Sequence, residues 1–160
     1  MTIINATKKA WDRLKATPPS ANNVDDTILG PWCAHIFCFG HRQFLTLTNE
    51  RTLFTIIVPA KDITDVEVVL PQTVAEILER YEMPKQLSTI LLKQLPVVQF
   101  TRNTNRQVLG SMNDFITTAK FILQDTPDIS LINLSLQLCQ MPCSPIQMKS
   151  PKEAILEILT

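Results

Sequence analysis

Residues 32–58 read WCAHIFCFGHRQFLTLTNERTLFTIIV, and this stretch decides most of the predicted fold. Three apolar runs, 32–39, 43–48 and 52–58, are separated by the short polar turns 40–42 and 49–51. Apolar runs joined by tight polar turns are typical of consecutive antiparallel strands. In the first run both alternating sets of side chains are largely apolar, which predicts a strand covered on both faces. We therefore expect an antiparallel meander at the centre of a sheet.

Downstream of the meander, apolar residues recur at helical intervals at Val74, Ile77, Leu78 and Tyr81. Pro71 suits the first turn of this helix, and Pro84 starts a second one, so we place helices over 71–94. Residues 97–101 resume strand character. Residues 129–139 alternate apolar and polar side chains over their second half, and this period predicts a further strand.

The stretch 102–115, RNTNRQVLGSMNDF, connects strand 97–101 to the next apolar helical pattern. Ser111 and Asp114 match the S/T-x-x-D/E start of a helix, so we place that helix at 111–124 and a tight turn at Gly110. Near the end of the chain, Ser150 is followed by proline and then Glu153, which predicts a capped, short C-terminal helix. At the start, 2–6 has the pattern of an edge strand, and Thr7 can cap a helical turn over 8–15.

Together these elements predict a single α+β domain over 1–160. Its sheet is mainly antiparallel, made of the 32–58 meander plus 97–101, to which 2–6 can add an edge. Helices near 71–94 and 111–124 pack against it. The 160-residue length and the 45% hydrophobic share suit one globular core.

Charge and composition limit the functional class. Fifteen basic and fifteen acidic residues give zero net charge, which argues against non-specific binding of bulk nucleic acid or of an anionic membrane. We find no signal-peptide pattern and no apolar run of about 20 residues, so we expect no membrane association. Four cysteines without an export signal indicate free thiols in a reducing cytoplasm.

Two motifs resemble an uncharacterised bacterial family that is known only as a domain of unknown function, number 6933. They are W-x-A at Trp32 and N-R-Q-V-L-G-S-M-N-D over Asn105–Asp114, the more specific of the two. A closing P-K-E-A over 151–154 fits the same family. The resemblance spans nearly the whole chain and implies one compact bacterial domain, but it supplies no activity.

The polar stretch 102–114 has two interpretations. In the structural one, Gly110 forms a turn and Ser111 caps the helix, while the asparagines satisfy loop backbone groups. In the functional one, the helix N-terminus binds an anion through the Ser111 hydroxyl, the backbone near Asn113, and Arg102 or Arg106. The charge of Asp114 would compete for the same donors.

Other candidate residues come from outside this stretch. His35 could pair with Asp114 as a general base. Trp32 and Arg42, together with Arg51 and Arg106, could form a surface on which a nucleotide stacks.

Metal and cofactor chemistry find little support in the sequence. The cysteine pairs at 33/38 and 139/143 do not favour zinc, because five positions along a strand place two side chains on opposite faces. No P-loop, G-x-S-x-G, H-E-x-x-H or C-x-x-C signature occurs, so we expect no metal and no cofactor.

The leading hypothesis is a non-enzymatic binding module of the bacterial cytoplasm that recognises a phosphorylated small ligand or a protein partner through 102–114. The alternative is a small hydrolase or phosphoryl-transfer enzyme that acts on a nucleotide or nucleic acid. An enzyme requires His35 or Asp114 to lie within hydrogen-bonding reach of Arg106 in a concave pocket. An interaction module requires an exposed apolar surface with a polar rim.

Overall fold

The computed structural model describes residues 1–14, 25–96, 98–102 and 105–159. A five-stranded sheet lies at its centre, in the order β4-β3-β2-β1-β5. The strands are β1 (Thr2–Ala6), β2 (Trp32–Phe39), β3 (Arg42–Asn49), β4 (Thr55–Pro59) and β5 (Val98–Thr101). The predicted meander is confirmed, since β2, β3 and β4 pair antiparallel in sequence.

The prediction of a mainly antiparallel sheet is only partly right, because β1 pairs parallel with both β2 and β5. β1 is therefore an interior strand, and its prediction as an edge strand is wrong. β5 takes the edge instead. The third strand of the meander begins at Thr55, later than predicted, because Leu53 adopts a positive φ of 59° within the preceding turn.

Six α-helices surround the sheet in the described residues: α1 (Lys8–Leu14), α2 (Val66–Arg80), α3 (Lys85–Gln94), α4 (Arg106–Asp125), α5 (Leu131–Leu138) and α6 (Pro151–Leu159). α2 begins five residues before the predicted start at Pro71, so Pro71 lies inside the helix. α6 has the predicted cap, since the Ser150 hydroxyl bonds both the backbone N–H and the carboxylate of Glu153.

The predicted start of the fourth helix at Ser111 is wrong. Asn105 caps α4, because its side-chain oxygen accepts from the backbone N–H groups of Gln107 and Val108, at 3.1 and 3.3 Å. Asparagine is among the best N-cap residues, and here it competes successfully with the serine further along. Ser111 and Gly110 consequently lie inside the helix, and Gly110 forms no turn.

The strand predicted over 129–139 is also wrong, since 131–138 form α5. The Ser130 hydroxyl caps this helix by accepting from the Asn133 N–H at 3.1 Å. Leu134 and Leu138 are buried one turn apart, so a helical stripe underlies the apparent alternation.

Two apolar clusters fill the two sides of the sheet. On one side α1, α2, α3 and α6 cover Trp32, Leu45 and Leu47. On the other side α4 covers Cys33, Phe37 and Phe44. α5 contributes to both clusters from beside the β4 edge. No helix in the described ranges has the length and apolar character needed to cross a membrane.

Candidate functional site

A groove of about 650 Å³ lies between the first half of α4 and the segment 141–148. We call it the α4 groove. Its volume is in the range of small-ligand sites, and it is partly open to solvent. The residues that α4 contributes are Arg106, Gln107, Gly110, Ser111, Asp114 and Phe115. The facing wall consists of Met141, Pro142, Cys143, Ser144, Pro145 and Met148.

Three residues of the α4 wall follow one another at single-turn intervals. Arg106, Gly110 and Asp114 are each four positions apart, so they lie in a row along one face of the helix. At a rise of 1.5 Å per residue, Arg106 and Asp114 are about 12 Å apart along the axis. The groove therefore has a cation at one end, a carboxylate at the other, and a residue without a side chain between them.

The facing wall is a tight backbone loop anchored on Cys143. The Cys143 carbonyl accepts from the N–H groups of Ile146 and Met148, at 3.2 and 2.9 Å, and its own N–H donates to the Lys149 carbonyl at 3.0 Å. Gln147 and Met148 both adopt left-handed backbone conformations, with φ of 58° and 62°. Such conformations cost non-glycine residues about 1–2 kcal/mol each. The loop therefore keeps Met148 in a backbone conformation that is unfavourable for methionine. Met148 is 61% exposed.

The charges of the groove have no ionic partners within the described part of the chain. Neither Arg106 nor Asp114 belongs to an ion pair there. Asp114 does act on the opposite wall: burial raises the pKa of the Cys143 thiol, and the nearby Asp114 carboxylate raises it further. The Cys143 thiol instead donates to the Met141 carbonyl at 3.3 Å. This cysteine is therefore a protonated structural residue of the wall.

The structure brings three of the predicted site residues together, since Arg106, Ser111 and Asp114 all line the α4 groove. Asn113 is exposed on α4 but does not line the groove. Arg102 is exposed directly after β5 and is likewise not part of the lining.

The nucleotide-stacking surface suggested around Trp32 is not assembled. Trp32 is completely buried, where it packs edge-to-face on Phe54 with ring centroids 6.3 Å apart. The Arg42 guanidinium lies 4.8 Å from the centroid of the Phe44 ring and donates to the Pro127 carbonyl at 3.2 Å. Pro127 follows the C-terminus of α4, whereas Arg106 begins that helix, so the two arginines lie at opposite ends of a helix about 30 Å long.

His35 is also separate from the groove. Its Nδ1 is 2.6 Å from the Thr7 hydroxyl, so the side chain of Thr7 bonds to this histidine. Burial lowers the pKa of His35, and the charge of Lys9 lowers it further. The arrangement proposed for catalysis, with His35 or Asp114 bonded to Arg106, is not present among the described residues.

No group of three or more histidine, cysteine, aspartate or glutamate side chains in the described ranges is arranged to hold a metal ion. One cysteine of each pair considered in the sequence analysis is completely buried. Burial raises the pKa of both Cys33 and Cys139 to about 12, so both thiols stay protonated near neutral pH.

The start of α4 lies close to the carboxyl ends of the parallel strands β1 and β5. β1 and β5 are parallel neighbours, but α1 follows β1 on one side of the sheet and α4 follows β5 on the other. In α/β sheets a crevice opens at the carboxyl ends of two such strands, and ligands commonly bind there. Arg102 and Arg106 lie on the connection that leaves this point.

The facing wall at 141–148 was missed by sequence reasoning. The left-handed residues at 147 and 148 are neither glycine nor asparagine, so no residue type indicated the loop. The two prolines at 142 and 145 are the one available signal.

A model for a domain of unknown function, DUF6933, matches residues 3–154. No curated protein matches the chain, and no solved structure does.

Proposed function

The chain belongs to the DUF6933 family, and we propose that it is a non-enzymatic binding module whose recognition site is the α4 groove. In this proposal Arg106 binds an anionic group of the ligand, and the rest of the groove holds an extended, partly apolar portion. The four free cysteines support a reducing, cytoplasmic setting.

Gly110 is the observation that carries the proposal. Glycine inside a helix costs about 1 kcal/mol relative to alanine, so its presence usually answers a structural need. Neither usual need exists here: Gly110 has no positive φ, and apart from its chain neighbours and the backbone of its own helix no atom lies within 4 Å of the position a Cβ would occupy. The missing side chain instead leaves space in the middle of the groove. A site that must accommodate a ligand explains this space.

The lining suits binding better than catalysis. Met148 is exposed and Met141 is partly buried, so both can contact a ligand, and Arg106, Ser111 and Asp114 supply polar groups beside them. Apolar contacts beside polar groups support an interaction site. Arg106 is exposed and has five N–H donors in a rigid fork, so a carboxylate or phosphate is the group it binds best.

The proposal predicts that Gly110→Ala makes the protein more stable and binding weaker. We expect the free energy of unfolding to rise by about 1 kcal/mol, because alanine is the better helix former and nothing crowds its Cβ. Thermal shifts would be measured with sulfate, mononucleotides, short single-stranded DNA and RNA, divalent metals and a library of short peptides. A ligand present at 100 times its Kd adds about 2.7 kcal/mol to stability.

Asn113→Ala is the matched control. It improves helix propensity at an exposed position of the same helix that does not line the groove. A ligand that stabilises the wild type and Asn113→Ala, but not Gly110→Ala or Arg106→Ala, would support the proposal. The proposal fails if no ligand shifts the melting temperature, or if every shift survives in the Gly110 and Arg106 variants.

A further inference from the structure

We propose that the occupant of the α4 groove is an extended peptide segment of a partner protein that carries an acidic and a basic side chain four positions apart, with an apolar side chain midway between them. This inference rests on the proposed function and names its ligand class. The acidic side chain binds Arg106, the basic side chain binds Asp114, and the apolar side chain fills the space over Gly110.

The spacing of the groove residues carries the peptide assignment. Arg106, Gly110 and Asp114 recur every four residues, which is about 6 Å along the helix axis. In an extended chain, every second side chain lies on the same face at intervals of about 6.6 Å. Three successive same-face side chains of a strand therefore match the three positions of the helix. Over this distance the mismatch is only about 1 Å, so all three contacts can form together.

The chemistry of the three positions sets the order of the side chains. Arg106 and Asp114 have no ionic partners among the described residues. A free guanidinium favours a carboxylate, and a free carboxylate favours an ammonium or guanidinium group. Between them Gly110 leaves open space, and Met148, which lines the facing wall of the same groove, is 61% exposed. Methionine adapts its shape to varied apolar groups, so this position suits a leucine-sized side chain.

A phosphate ligand fits this groove less well. A phosphate bound to Arg106 would leave the Asp114 carboxylate at the other end of the groove without a partner. A ligand with opposite charges at its two ends can bind both groups.

The test uses short peptides whose ends are acetylated and amidated, so that only side chains carry charge. The parent peptide is Gly-Glu-Thr-Leu-Thr-Lys-Gly, which is tested together with the peptide that exchanges its glutamate and lysine. Both orders are included because a strand can lie in the groove in either direction. Two further peptides carry two glutamates or two lysines in place of the mixed pair. A fifth places glutamate and lysine two positions apart.

We expect wild-type protein to bind the parent peptide or its exchanged form roughly tenfold more tightly than the other three peptides. Each exposed charge contact changes the Kd by a factor of about two to five. Exchanging a charge on the protein should exchange this preference. Asp114→Lys should favour the doubly acidic peptide, and Arg106→Glu the doubly basic one. Binding would be measured by isothermal titration calorimetry. Both substitutions are at exposed positions, so the variants should fold.

The outcomes separate this inference from the proposed function. Equal binding of all five peptides, or preferences that ignore the two charge variants, would overturn the inference. If no peptide binds while another ligand loses its thermal shift in Gly110→Ala, the peptide class is wrong and the binding module stands. If neither the peptides nor any other ligand depends on Gly110 and Arg106, both proposals fail.

Discussion

Asn49 is the most heavily bonded buried side chain of the described structure. Its side-chain N–H donates to the Leu29 carbonyl at 2.9 Å, and its oxygen accepts from the N–H and hydroxyl of Thr52, at 3.0 and 2.9 Å. The residue is completely buried at the end of β3. It therefore joins the turn that leads to β4 to the segment that precedes β2.

We expect Asn49→Ala to lower the free energy of unfolding by about 3 kcal/mol, because the groups it leaves unpaired stay buried. Urea unfolding measures this loss. Asn113→Ala removes the same side chain at an exposed site and should change stability by less than about 0.5 kcal/mol. Equal effects of the two substitutions would show that burial of Asn49 does not matter.

At this scale the sequence predicted the kind of residue that caps a helix but not which one does so. Both Asn105 and Ser111 are good caps, and both precede an apolar helical stripe. The choice depends on where β5 ends and where α4 meets the sheet, and neither is encoded locally. The sequence predicts a turn at Gly110 for the same reason, so it does not indicate the groove.

The helix α5 acts as a cover for the β4 edge. The Ile57 N–H donates to the Ser135 hydroxyl at 2.9 Å, and the Thr55 N–H donates to the Cys139 sulfur at 3.4 Å. Ser135 on α5 and Cys139 just after it thus accept hydrogen bonds from two backbone N–H groups of β4. An unpaired strand edge invites association with other chains, and these side chains occupy it.

Ser135→Ala should destabilise the protein by about 1–3 kcal/mol, because it leaves the buried Ile57 N–H without a partner. The clearest measurement is amide hydrogen exchange, in which Ile57 should lose protection while amides within the β2–β3 pair stay unchanged. Uniform loss of protection across the sheet would indicate global destabilisation instead. Retained protection at Ile57 would contradict the role of Ser135.

The same helix shows why the period of apolar residues alone did not predict the type of this element. Over 134–139 the chain reads LSLQLC, which alternates as a strand does. Leu134 and Leu138, four apart, are buried, whereas Leu136 between them is only partly buried. Short apolar segments support either interpretation, and tertiary contacts decide. The long helices and the hairpins, whose patterns run further, were predicted correctly in type.

At the scale of the molecule, His35 should make stability depend on pH. Burial lowers its pKa in the folded state, so the unfolded chain binds the proton more tightly. The stability that neutral His35 contributes is present above its ordinary pKa of about 6.5 and is lost as pH falls through that value. Relative to His35→Gln, the wild type should lose stability on acidification from about pH 7.5.

Unfolding midpoints in urea across this range test the prediction. Glu50 titrates in the opposite sense, because burial raises its pKa, so only the difference between wild type and His35→Gln isolates the histidine. Parallel pH profiles for the two proteins would show that His35 makes no such contribution.

The sequence predicted the meander and most helices because those depend on neighbours along the chain. It did not predict that β1 lies between β2 and β5, because parallel pairing joins segments far apart in sequence. The α4 groove shares this limit, since residues of α4 and of 141–148 form it jointly.

The parallel pairing of β1 with β5 also has a consequence for the timing of folding. The antiparallel pairs of β2, β3 and β4 join residues that are close in sequence. The pairing of Thr2 with Val98 instead requires closure of a long loop, which is slower. During synthesis, β1 therefore lacks its second neighbour until residues 98–101 have been made. Both walls of the groove follow β5 in the chain, so a nascent chain forms its binding site only after all strands of the sheet have been synthesised.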